Sequence, residues 1–326
     1  MKPTNKQTNQ PSISKANATL FTLFGASDAL ARLWPALFGS AVVLAPALLR
    51  QRIGRLEALL AGLYLAVSPT ALFASRQLDG TVLVAAGVVA CLGGLVRFFD
   101  GGGRSWLVLA ASGLALAMVA SSVTYGLIVT LVLAWLSLTW AWPGRRGSEL
   151  WGLLRPQALH VLAVFLLVGV ALGTGLFWNP AGLGAVGNLA AGWLERFRTA
   201  LPHVASPFIL VSVYEPLALL FGLGGLVWAV RRRWRFGVLL GLWAGLQVLM
   251  LSLMPGRAPL DTLGVVLPLA LLTGYAVASL VQSMQAKIWT GEWLYALAVL
   301  VLWVHFYLRL ARHALYGQSA DLFLAL

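Results

Sequence analysis

The chain has 326 residues, of which 60% are apolar and only 10% charged, with a mean hydropathy of +0.86. Soluble domains carry about 25% charged residues, so this composition excludes a water-soluble globular enzyme, and the lack of short alternating strands argues against a β-barrel. The net charge of +13 has no basic soluble domain in which to form a groove, so no nucleic-acid partner is expected.

In chain order, residues 1–20 are polar, hold Lys2, Lys6 and Lys15 and contain no acid, which reads as a disordered tail. They show no cleavable signal-peptide pattern. Asn17-Ala18-Thr19 fits a glycosylation acceptor, a weak pattern by itself. Ser27-Asp28 has the order of a helix cap followed by a first-turn acid. Ten apolar segments follow, at 33–49, 56–74, 80–96, 105–121, 124–142, 157–177, 208–230, 236–254, 260–282 and 292–310. A bilayer span needs roughly 20 apolar residues, so the expected architecture is an all-α polytopic bundle over residues 21–312, with a tail at 313–326. The 105–121 segment is short and rich in Gly, Ala and Ser, and is expected to insert only partly. The single cysteine, Cys91, lies inside a span and forms no intramolecular disulfide.

Alternate loops differ in charge. One set holds Arg50, Arg52 and Arg55, then Arg97 and Arg104, then Arg145, Arg146 and Arg155, then Arg231, Arg232, Arg233 and Arg235, then Lys287. The opposite set holds only Arg76, Arg196, Arg198 and Arg257. The positive-inside rule places the first set in the cytoplasm. Both termini then lie outside, although no apolar segment precedes the lysine-bearing N-terminus to carry it across. Two readings meet that conflict: an upstream span missing from this chain, or a re-entrant 33–49 segment.

Ionisable groups near the bilayer are costly and so are functional candidates. Arg76 and Asp79 share the outer loop Ser75-Arg76-Gln77-Leu78-Asp79 and would pair on a continuous helical turn. Arg76 reads either as a phosphate ligand or as half of a structural ion pair. Tyr214-Glu215-Pro216 opens or interrupts the 208–230 segment, and Pro216 removes a backbone donor there. Glu215 is then a substrate or metal contact, or a carboxylate bonded to its neighbours. Arg257 and Asp261 flank the tight turn Pro255-Gly256-Arg257-Ala258-Pro259-Leu260-Asp261. They form a phosphate grip, or a rigid turn carrying a surface pair.

The longest outer loop, from Trp178 to Pro207, places Val186, Leu189, Trp193, Leu194, Phe197 and Leu201 at helical spacing. Asn188, Glu195, Arg198 and Thr199 fall opposite, as in an amphipathic helix in the membrane interface. It reads equally as a connector covering the bundle or as a functional lid. His160, His203, His305 and His313 are dispersed, without metal-ligand spacing. Gly101-Gly102-Gly103 has no strand before it and no Lys-Ser/Thr after it, so it is a flexible turn.

Four stretches carry a resemblance by order and spacing. They are Ala29 to Gly39; Ser68-Pro69 through Ser75-Arg76 and Asp79; Trp178 to Gly182 with the amphipathic helix, followed by Tyr214-Glu215; and Pro255-Gly256-Arg257 with Asp261. Over residues 20–285 the chain resembles the GT-C membrane glycosyltransferases, the superfamily of protein mannosyltransferases and lipid-A aminoarabinose transferases. It is most similar to the bacterial and archaeal flippase-activity-associated, mannosyltransferase-like branch. The resemblance implies a multi-pass protein of the cell (inner) membrane. It would transfer sugar at the outer face from a polyprenyl-phosphate donor to a glycan, lipid or protein acceptor.

The resemblance implies Arg76, Glu215 and Arg257 as donor-site positions, beside Asp79 and Asp261. No cofactor is fixed, and a divalent metal stays compatible. The family's first span and first acidic outer loop have no counterpart here, since no acid precedes Asp28, and no catalytic base is carried over. The alternative is a non-catalytic transporter, flippase-type protein or assembly partner for lipid-linked sugars. Against transport, the spans hold few charges and show no inverted repeat.

Overall fold

The computed structural model describes residues 32–77, 79–141, 152–175, 182–198 and 206–285, together with Gly25, Ser27, Leu30 and Phe177. The expected 292–310 segment, Asp28, the Asn17 acceptor site, Trp178, Asn179, Pro180 and both tails lie outside these residues.

Among the described residues every regular element is helical. In order they are α1 (Leu33–Leu44), α2 (Arg55–Val67), α3 (Pro69–Arg76), α4 (Thr81–Phe99), α5 (Ser105–Ala120) and α6 (Val123–Ala141). There follow α7 (Ala158–Gly173), α8 (Gly182–Glu195), α9 (Ser206–Tyr214), α10 (Pro216–Arg231), α11 (Arg235–Leu253) and α12 (Leu263–Gln285). Within the described residues, six stretches are long and apolar enough to span a bilayer, and two bent pairs bring the total to as many as eight. The protein is a polytopic α-helical membrane protein.

Prolines punctuate the segments expected to be continuous. Pro46 lacks an N–H and lies in a 3-10 turn, Ala45–Leu49, that continues the α1 span to Ile53. The 56–74 segment is two helices, α2 and α3, bent by 60° at Ser68. The 208–230 segment is also two, α9 and α10, bent by 101° at Glu215. In both cases a proline fixes the break, because the residue before it is pushed out of helical geometry. Ser68 has φ −62° and ψ 122°, and Glu215 has φ −129° and ψ 48°.

Packing follows the logic of a bilayer, in which small residues let backbones approach. Gly87 of α4 meets α5 so closely that a Cβ would lie 2.4 Å from the Gly113 carbonyl oxygen. Gly80 and Gly94, two turns either way, are equally tight against Ala120 and Trp106 carbonyls. The centre is α12, whose Leu263, Val266, Ala270 and Leu272 are buried. It meets α2 through Gly274 and α10 through Gly225, again backbone against backbone. A buried polar tie joins α6 to α11, where the Thr130 hydroxyl donates to Gln247 Oε1 at 2.7 Å. Outward faces are apolar: Leu44, Leu63, Leu159 and Leu167 are all well exposed, as expected of side chains that meet lipid.

Among the described residues, the two sets of loops separate in space. At one end Arg52 forks onto Asp100, Arg97 donates to the Ala47 and Leu48 carbonyls, and Arg232 lies 4.5 Å from the centre of the Trp228 ring. At the other end Arg196, Ser206, Glu215, Arg257 and Asp261 make their contacts. This is the alternation that the charge pattern predicted.

Gly87→Ala should lower the thermal midpoint of the detergent-solubilised protein, at a cost of about 1–3 kcal/mol from overpacking. Gly245→Ala has nothing within 4 Å of the new methyl. It should stabilise by roughly 0.5–1 kcal/mol.

Candidate functional site

The two helix breaks meet. α3 begins at Pro69, and the Ser68 hydroxyl caps it by accepting from the Ala71 N–H at 3.2 Å. The next free donor, the Thr70 N–H, donates to Glu215 Oε1 at 2.9 Å. Ser68 Oγ donates to that same oxygen at 2.5 Å, and the Tyr64 hydroxyl donates to Oε2. Glu215 is 1% exposed, so burying its charge without donors would cost several kcal/mol. Here the carboxylate sits at a helix N-terminus, where the dipole favours an anion, and accepts charge-assisted bonds from three groups. One side chain thus closes the break between α2 and α3 from within the break between α9 and α10.

The turn after α11 is closed in the same manner. Arg257 Nη1 donates to the Leu251 and Met254 carbonyls at 3.0 and 3.1 Å, satisfying the end of that helix. Its Nε and Nη2 both reach Ser206 Oγ, at 3.1 and 2.5 Å, at the start of α9. Asp261 is 1% exposed and pairs with Arg196 Nη1 at 2.9 Å, while also accepting from the Ala258 N–H at 2.8 Å. The Gly256 N–H donates to the Arg196 carbonyl at 2.9 Å. A Cβ on Gly256 would press into the Arg196 backbone at 3.0 Å, which is why glycine stands there. These bonds fasten the end of the amphipathic helix to the turn.

Between the two broken spans lies a cavity of about 470 Å³. Its walls are Pro69, Thr70 and Phe73 from α3, Leu210 and Tyr214 from α9, and Pro259, Leu260 and Thr262 beside Asp261. The lining is mainly apolar, and Phe73 and Tyr214 are 54% and 53% exposed at its edge. Arg76 follows Pro69 by seven residues and Phe73 by three, so it shares the helix face that lines the cavity. Its side chain is exposed.

Several sequence expectations are corrected by this geometry. Arg76 and Asp79 do not share a helical turn: α3 ends at Arg76 and Gln77 is extended, with ψ 145°. Asp79 instead accepts from the Thr81 hydroxyl at 2.8 Å. Its carboxylate is near enough to Asp261 to act on that group's charge. Asp261 is no surface partner of Arg257 but a buried partner of Arg196. The amphipathic helix is present as α8 but stops at Glu195, so Phe197 lies past its end, and Leu201 lies outside the described residues. Trp193 turns inward onto Tyr125, with ring centroids 6.2 Å apart. Among the described residues no three His, Cys, Asp or Glu side chains gather as a metal site.

Sequence reasoning gave no site role to Tyr64, Ser68 or Ser206. Ser68-Pro69 did carry a signal, since Ser before Pro is the pattern of a helix cap with proline at the first helical position.

Fold and site together define a class: a polytopic membrane protein whose broken spans enclose an apolar cavity at one end. No known protein-family profile matches the chain, and no curated relative matches it in sequence. Among solved structures, the fold is similar to that of ArnT from Cupriavidus metallidurans bound to undecaprenyl phosphate. The TM-score is 0.68 and the identity 20%, over 93% of this chain and 59% of that one. The apo structure of the same ArnT gives a TM-score of 0.64 at 19% identity, over 93% and 58%. The chain thus spans about three-fifths of the length of ArnT, and the likeness is one of fold.

Glu215→Ala would strand the Tyr64, Ser68 and Thr70 donors and should cost about 2–3 kcal/mol of stability. Glu215→Gln keeps an acceptor and should cost less, and Tyr64→Phe about 1 kcal/mol. Thermal unfolding of the three variants checks this order.

Proposed function

We propose that this chain works as a GT-C-type membrane glycosyltransferase that takes a sugar from a polyprenyl-phosphate carrier. The site is the cavity between the two broken spans, at the outer face of the cell (inner) membrane. The observation that carries the reading is the apolar cavity itself, in a fold shared over 93% of the chain with a protein captured with undecaprenyl phosphate. An isoprenoid tail needs an apolar groove reachable from lipid, and its phosphate needs a cation at the membrane surface. The cavity supplies the first, and Arg76, exposed on the cavity-lining face of α3, supplies the second.

The candidate residues divide by role. Arg76 contacts the donor phosphate with its planar fork. Asp79 lies toward the polar end of the donor and binds sugar hydroxyls. Glu215, Arg257 and Asp261 are positioning residues, because their polar atoms bond to the backbone and side chains that shape the cavity. The outward orientation is supported by the arginine-rich loops gathered at the opposite end. The acceptor is a glycan, a lipid or a protein.

The test is transfer of labelled sugar from a polyprenyl-phosphate donor in membranes containing the protein. Arg76→Ala should weaken donor binding about 10- to 100-fold, the range of a lost charge-assisted hydrogen bond. Absence of transfer across varied donors and acceptors would sink the enzyme reading. Movement of lipid-linked sugar across proteoliposomes without transfer would make the protein a carrier instead.

A further inference from the structure

A groove of about 580 Å³ runs between α2 and the first span, made of α1 and its 3-10 continuation. It is lined by the small residues Ala47, Ala58 and Gly62 and by Leu44, Leu59 and Leu63. Gly62 lets the two backbones close: a Cβ there would lie 2.8 Å from the Val43 carbonyl oxygen. The three leucines are well exposed, so the groove opens sideways toward lipid. Arg50 and Arg55, both exposed, also line it, at the arginine-rich end. They stand on either side of Gly54, whose φ of 106° turns the chain from the first span into α2.

We propose that this groove binds one anionic phospholipid, with an acyl chain between α1 and α2 and the phosphate at Arg50 and Arg55. Depth and charge together choose this occupant. The arginines stand at the ends of their spans, Leu33–Ile53 and the bent pair that starts at Arg55, which is the height of a lipid phosphate. From there the groove reaches Val43, in the middle of the first span, and Ala66, eleven residues beyond Arg55. That length of helix covers about 16 Å, half of a hydrocarbon core roughly 30 Å thick. The groove is therefore one leaflet deep, the reach of a single acyl chain.

Among the described residues neither Arg50 nor Arg55 pairs with a carboxylate. Arg52, between them in sequence, is balanced by Asp100 and does not line the groove. Glu57, the acid in the first turn of α2, is also off the lining, and its Oε1 accepts from Gln282 Nε2 at 3.4 Å. Two guanidinium groups at one end of an otherwise apolar groove match a phosphate. A zwitterionic lipid would offer the same chain but bring its own cation to that end, so an anionic headgroup is preferred. The groove is separate from the proposed donor cavity, and the proposal stands whether or not sugar transfer is found.

The experiment is native mass spectrometry of the full chain released from nanodiscs holding equal amounts of phosphatidylglycerol and phosphatidylethanolamine. The wild type should retain one phosphatidylglycerol in clear preference to phosphatidylethanolamine. Arg50→Gln and Arg55→Gln should each reduce that retention about fivefold, the share of one basic residue near an anionic lipid, and together about 25-fold. Ala47→Phe fills the groove from an exposed position while leaving every charge in place, and should expel the lipid. Arg104→Gln with Arg231→Gln removes two charges from arginine-rich loops that do not line the groove, and should retain it. Circular dichroism confirms that each variant is folded. Equal retention of the two lipids by the wild type would overturn the proposal. So would wild-type retention in the Arg50 and Arg55 double variant or in Ala47→Phe, or an equal loss in the Arg104 and Arg231 double variant.

Discussion

The buried carboxylate of Glu215 is the interaction on which this end of the molecule depends. A membrane helix may break only where its freed backbone groups find partners within the protein. Both α2–α3 and α9–α10 break at a proline, and each break alone would leave polar groups in an apolar setting. Bringing the breaks together lets an acceptor at one serve the freed donors of the other: the Thr70 N–H and the Ser68 hydroxyl converge on Oε1 while Tyr64 holds Oε2. The cost of burying the charge is offset by three donors and a helix dipole.

The same rule explains the neighbouring turn. Arg257 closes the carbonyl end of α11 and ties it to Ser206, and Asp261 fastens Arg196 and the Ala258 N–H. Four chain segments, distant in sequence, are thereby fixed around a cavity lined mainly by apolar side chains. A ligand with an apolar tail and an anionic head fits such a setting, since most polar atoms of the frame are turned toward one another and Arg76 remains at the surface.

Much of the fold was legible in the sequence, because a span requires about 20 apolar residues and loop arginines alternate. Nine of the ten expected segments correspond to described helices, and the tenth lies outside the described residues. The breaks were half legible. Pro216 signalled one, but Ser68-Pro69 was absorbed into a continuous segment. The partners were not legible at all. Ser68 and Glu215 are 147 residues apart, and Arg196 and Asp261 are 65 apart, so only packing decides which charge meets which. Local spacing favoured Arg76 with Asp79, a pairing that the extended Gln77 removes.

The most direct measurement of the central claim is photo-crosslinking of a diazirine-bearing polyprenyl phosphate to the full chain in membranes, with adducts mapped by peptide mass spectrometry. If the cavity between the broken spans holds the carrier, adducts will fall on Phe73, Leu210 and Tyr214, and unlabelled carrier will compete them away. Adducts confined to Leu131, Trp135 and their neighbours at the arginine-rich end, or spread over the lipid-facing leucines without competition, would contradict it.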